Sequence, residues 1–150
     1  MKFGSVNEII DFAIKKEEEA YKFYNDLSNS VNNPNMRQVF MDFAAQEHGH
    51  KVKLLNVKAG KITIGTEQKV KDLKIGDHLV DIELVPDLDY QQALIIAMKA
   101  EKAAYKLYLD LAAATDDSNL KATFNSLAQE EANHKLRFEI EYDDRFFSEN

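Results

Sequence analysis

The chain contains no cysteine. Disulfides, zinc-thiolate sites, iron-sulfur centres and thiol catalysis are therefore excluded within it, and any redox chemistry must use another centre. Long apolar runs are also missing. No stretch approaches the ~18 to 20 residues needed to span a bilayer, and the opening segment MKFGSVNEIIDF lacks the apolar region of a cleavable signal. The expected setting is cytoplasmic, with no membrane partner. Basic charge is in short supply: 19 lysines and arginines stand against 26 acidic residues, for a formal charge of -7. No Lys/Arg cluster forms a phosphate-binding stripe, so nucleic acid is not an expected partner. What remains, 150 residues with 45% hydrophobic content, suits a single domain over 1–150 with a real core.

The sequence is written twice. Adding 84 to Glu17, Glu47 and His50 lands on Glu101, Glu131 and His134. Between residues 9–27 and 93–111, nine of nineteen positions are identical at that offset, far more than unrelated amphipathic helices would share. Phe40/Phe124, Ala44/Ala128 and Lys51/Lys135 extend the repeat into the second member of each half.

Apolar periodicity predicts four helices. The first runs from about Asn7 to Leu27, with Ile10, Ala13, Ile14, Glu17, Ala20, Tyr21, Tyr24 and Leu27 on one stripe and Lys15, Lys16, Glu18, Glu19 and Lys22 facing solvent. Asn33 as cap and Pro34 at the first helical position start the second, about Pro34 to Lys58, which buries Met36, Val39 or Phe40, Phe43, Glu47, His50, Leu54 and Val57. Gly60 is placed to end it. The third, about Asp89 to Ala114, repeats the first, with Leu94, Ala97, Met98, Glu101, Ala104, Tyr105, Tyr108 and Leu111 inward. The fourth, about Asn119 to Tyr142, repeats the second after the cap-rich turn TDDSN.

Between helices 2 and 3, about residues 60–88, the chain carries Gly65, Gly76 and Pro86 and no sustained helical period. The stretches KITIG and HLVDIEL could be extended or a brief helix. A helix of about 24 residues is roughly 36 Å long, so a chain of about 28 residues can return along it and start a parallel neighbour. The fold expected is therefore an all-α, ferritin-like four-helix bundle with a long crossover between helices 2 and 3.

In Glu-x-x-His the two side chains share one helical face and can reach the same metal. One Glu from each of two helices plus Glu-x-x-His from each of two others is a ligand set for two iron or two manganese ions. Glu47 and Glu131 are expected to bridge the ions, His50 and His134 to bind one each, and Glu17 and Glu101 to complete one each as terminal carboxylates. Four carboxylates with two neutral imidazoles carry -4, which two divalent cations cancel. Without metal, burial and mutual repulsion should raise the carboxylate pKa values. A partly solvated polar layer would explain one glutamate but explains six matched positions poorly. Thiolate-free Glu/His ligation suits iron or manganese, while affinity order alone also admits zinc, cobalt or copper. Two iron ions are the leading assignment, because a glutamate-rich set tolerates ferrous and ferric states.

Tyr24 and Tyr108, seven residues after the terminal glutamates, have two readings: hydrogen-bond donors to ligand carboxylates, or core fillers with their hydroxyls satisfied. Tyr21 and Tyr105 are read as core. His48, with no counterpart in the repeat, and His78, in the crossover, are read as surface residues. Phe146 and Phe147, if exposed, would mark a contact surface.

The segments AIKKEEEAYKFY, FAAQEHGHKVKLL, AMKAEKAAYKLY and LAQEEANHKLRF together resemble the four ligand-bearing helices of the rubrerythrin-like branch of the ferritin-like superfamily. The resemblance covers nearly the whole chain except the crossover. It implies a non-haem di-iron centre that reduces hydrogen peroxide or oxidises and handles iron with dioxygen, usually in a homodimer or larger assembly. Rubrerythrins proper carry a rubredoxin-like iron-sulfur module, so a peroxidase built on this cysteine-free chain needs an external electron donor such as a rubredoxin-like or flavin protein. The family also commonly has a further carboxylate one turn after the third-helix ligand, where this chain has Ala104. A helical interaction module with a structural metal pair is the remaining alternative.

Overall fold

The computed structural model describes residues 5–60 and 89–147. Four helices of equal length account for nearly all of them: α1 (Val6–Ser30), α2 (Pro34–Lys58), α3 (Tyr90–Ala114) and α4 (Ser118–Tyr142), followed by a short π-type turn, Asp143–Phe147. Each helix begins at a side-chain cap that accepts an otherwise orphaned backbone N–H. Ser5 accepts from Glu8, Asn33 from Asn35 and Met36 ahead of Pro34, and Asp117 from Leu120. Asp89 forms a reciprocal capping box with Gln92. Gly60 ends α2 as expected; its φ of 80° lies in the left-handed region that favours glycine.

α1 packs on α2 and α3 on α4, so each half of the repeat is a helical hairpin. Two apolar clusters reveal how the hairpins lie. One gathers Ile9, Ile10 and Ala13 from the start of α1, Leu54 and Val57 from the end of α2, Leu107 and Leu111 from the end of α3, and Leu120 and Phe124 from the start of α4. The other gathers Tyr24 and Leu27, Phe40 and Phe43, Tyr90 and Leu94, and Phe138 from the opposite ends. The ends of α2 and α3 therefore share one pole of the bundle, and these two helices run parallel. Residues 61–88, which hold the crossover with its KITIG and HLVDIEL stretches and His78, lie outside the described residues.

Most inward positions are as the periodicity predicts, with Phe40 rather than Val39 fully buried. Tyr21 is a correction. It is 43% exposed and sets its ring against His48 at the surface, 5.7 Å between centroids. The stripe expected of α1 is wider than the face the bundle covers. Tyr105 is half-buried, packed against the first cluster. Phe146 is exposed at the chain's end, where its ring lies against Tyr142; the Phe147 side chain lies outside what is described. Among the described residues, no helix is long and apolar enough to cross a membrane.

Candidate metal centre

Between the two apolar clusters lies a polar layer. Glu17 projects from α1, Glu47 and His50 from α2, Glu101 from α3, and Glu131 and His134 from α4, all 7% exposed or less. All six residues singled out in the sequence meet there. His50 Nδ1 lies 3.0 Å from Glu131 and 3.5 Å from both Glu17 and Glu47. His134 Nδ1 lies 3.3 Å from Glu47, 3.5 Å from Glu101 and 3.8 Å from Glu131. The two imidazoles are almost parallel, 4° between planes and 5.7 Å between centroids.

Donor atoms from Glu17, Glu47, His50 and Glu131 lie within 4.8 Å of one another, as do those from Glu47, Glu101, Glu131 and His134. Glu47 and Glu131 belong to both sets, the sharing expected of bridging carboxylates. Such proximity of acids in a dry layer is unfavourable unless something compensates it. Protein partners do so only in part. The buried side-chain atoms without a hydrogen bond among the described residues are Glu17 Oε2, Glu47 Oε1, His50 Nδ1, Glu101 Oε2, both oxygens of Glu131 and His134 Nδ1. Every one belongs to the six.

Protons answer the repulsion in the metal-free chain. Burial, then the Glu47 charge, pushes the Glu17 carboxyl up to about 7 against the pull of His50 and Tyr108. Burial and the charges of Glu101, Glu47 and Glu17 raise Glu131 well above the usual carboxylate range. For His134 burial alone would lower the imidazole, but Glu101 and Glu47 together outweigh it and hold the group up to about 9. His50 is raised in the same way, with Glu17 and Glu47 overcoming burial. The expected upward shift of the carboxylates is thus found at Glu17 and Glu131. The imidazoles add protons of their own.

The tyrosines take the donor reading while also filling the core. Tyr24, 1% exposed, donates its hydroxyl to Glu101 Oε1, and Tyr108, equally buried, donates to Glu17 Oε1 at 2.5 Å. Each acts across the bundle on the other half's glutamate. We expect Tyr108→Phe, which keeps the ring but strands a carboxylate oxygen, to cost about 1–3 kcal/mol in urea unfolding. Tyr24→Phe should behave alike, whereas Tyr21→Phe should leave the midpoint unchanged.

Two residues escaped the sequence reading. His50 Nε2 faces Glu130 at 3.1 Å, and His134 Nε2 donates to Gln46 Oε1 at 2.6 Å. Their signal was available: Gln46 and Glu130 are repeat mates, each just before the Glu of a Glu-x-x-His. That each serves the histidine of the facing helix could not be read from spacing. His48, as expected, is exposed.

The Rubrerythrin family profile matches residues 8–142. The chain belongs to the rubrerythrin family. Two solved structures share its fold. A protein of Thermotoga maritima, proposed to be a ferritin-like diiron-carboxylate protein, superposes with a TM-score of 0.75 at 20% identity, covering 96% of this chain and 98% of that one. A hypothetical protein from Pyrococcus furiosus gives a TM-score of 0.64 at 22% identity over 91% and 87% of the two chains. Among curated proteins none matches. Rubrerythrin membership and the ferritin-like bundle agree with the donor set: hard carboxylate oxygens and imidazole nitrogens, unsatisfied and turned toward one another, are what a pair of divalent ions requires.

Proposed function

We propose that this chain holds two iron ions through Glu17, Glu47, His50, Glu101, Glu131 and His134 and reduces hydrogen peroxide with electrons from a separate protein. The observation that carries the reading is that all buried side-chain atoms left unsatisfied among the described residues converge in this one layer. Two ferrous ions, when bound, supply together the two electrons that, with two protons, convert peroxide to two waters.

The chain's own residues prepare that chemistry. Glu47 and Glu131, common to both donor sets, would serve both ions, while His50 and His134 would each offer Nδ1 to one and Glu17 and Glu101 would each complete one set. Tyr108 and Tyr24 hold those last two carboxylates by their Oε1 atoms and leave Oε2 free. The apolar clusters on either side keep bulk water out, which strengthens every charge interaction between them. With no cysteine in the chain, the electrons come from an external rubredoxin-like or flavin protein. Manganese or zinc would fit the same donors.

A second reading, oxidation and handling of iron with dioxygen as oxidant, is favoured by one residue. Ala104, one turn after Glu101, offers no further carboxylate to the site. Stopped-flow mixing of anaerobic di-ferrous protein with peroxide and, separately, oxygen decides between them. The expected result is faster oxidation by peroxide within one turnover, and repeated turnover only when a rubredoxin-like or flavin donor is added. Faster oxidation by oxygen would select the ferroxidase reading. Oxidation by neither, with both ions bound, would leave a structural metal pair.

A further inference from the structure

Each half of the centre presents three carboxylates and one imidazole, yet the partners of the two outer imidazole nitrogens differ in charge. Nδ1 of each histidine faces the glutamates, and once it is given to an ion the remaining proton sits on Nε2, which faces outward. That of His50 faces a carboxylate, Glu130, at 3.1 Å; that of His134 donates to an amide oxygen, Gln46, at 2.6 Å. An anionic acceptor on the outer nitrogen makes the inner one a stronger donor and places another negative charge beside the ion, whereas a neutral amide only orients the ring. Phe43 also packs on the His134 ring, 4.9 Å between centroids, where the repeat mate is Leu127, but this contact brings no charge to the site. The basic repeat mates Lys53 and Arg137 balance, and Glu18 opposite Lys102 favours the His50 half from the surface, where Glu18 is 53% exposed and pairs with Lys51.

We propose that Glu130 and Gln46 make the two metal positions unequal, so that the position built on Glu17 and His50 fills before the one built on Glu101 and His134. The proposal rests on the metal-pair reading above. Glu130 and Gln46 act through the histidines as positioning residues and touch no ion themselves. Glu130 is 48% exposed, so its exchange for glutamine leaves the core undisturbed.

Zinc is the probe, because it is diamagnetic and does not change oxidation state. Metal-free protein is titrated by calorimetry, while 15N-histidine spectra report which imidazole responds. We expect two ions per chain in two steps, with the His50 signals moving within the first equivalent and those of His134 within the second. E130Q should weaken the first step by about 10- to 100-fold and bring the steps together. The exchange Q46E/E130Q should restore two steps in inverted order, with His134 moving first; a purely structural role for these side chains cannot produce that inversion. Simultaneous movement of both histidines in the native chain, or an order unchanged by the exchange, would overturn the proposal while leaving the metal pair intact. Uptake of one zinc or none would instead overturn the pair itself, and this proposal with it.

Discussion

Filling the centre with two divalent ions is expected to raise the unfolding temperature by about 10–20 °C over the chelated protein. Each ion that binds the folded chain alone contributes about 2.7 kcal/mol when free metal stands at about a hundred times Kd, hence on the order of 5 kcal/mol for two. At this chain length about 2–4 °C accompanies each kcal/mol. The effect is large because the site lies in the middle of the core. It separates the two apolar clusters, and seven of its buried atoms have no hydrogen-bond partner among the described residues. Glu47 belongs to both donor sets, so Glu47→Gln should weaken both ions and remove most of the rise. Scanning calorimetry of chelated and zinc-loaded protein checks this. Equal melting of the two forms would argue against buried ligands.

Raising the pH should destabilise the metal-free protein and tighten its hold on metal. Burial and the Glu47 charge move Glu17 from 4.5 in the free side chain to about 7 in the fold, so between those values the folded chain keeps a proton that the unfolded chain has released. Its contribution is complete below 4.5 and is lost as pH rises through about 7. For His134 the contribution is complete below 6.5 and is lost as pH rises through about 9, where Glu101 and Glu47 no longer face a cation. At about 1.36 kcal/mol per pKa unit, Glu17 alone changes stability by on the order of 3 kcal/mol across its window. Urea midpoints of chelated protein should therefore fall from pH 5 to pH 9. A midpoint that rises over this range would contradict the assignment. Because metals displace these protons, zinc binding at pH 7 should release protons, detected by calorimetry in buffers of different ionisation enthalpy.

The six acidic and imidazole side chains of the centre were legible in the sequence for two reasons. Helical periodicity is a local property, so an acid on an apolar stripe is visible wherever it falls, as at Glu17 and Glu101. Duplication then supplied an internal control, since a chance glutamate has no partner at an offset of 84. The same logic correctly placed the helix starts at Asn33-Pro34 and Asp89, where capping chemistry involves only a few neighbouring residues. It failed at Tyr21, because periodicity gives the direction of a face but not how much of it the neighbouring helices cover.

By itself the sequence determined the four helices, their inward faces and the duplicated Glu and Glu-x-x-His donors, because each depends on residues within a turn or two of one another. Tertiary structure alone decided how the donors are supported and made different. Tyr24 reaches Glu101 across 77 positions, Tyr108 reaches Glu17 across 91, and Gln46 reaches His134 across 88. No local period encodes such pairings. They follow from crossing one helical hairpin with its copy, which turns each half's tyrosines toward the other half's glutamate and sets Glu130 against one histidine and Gln46 against the other.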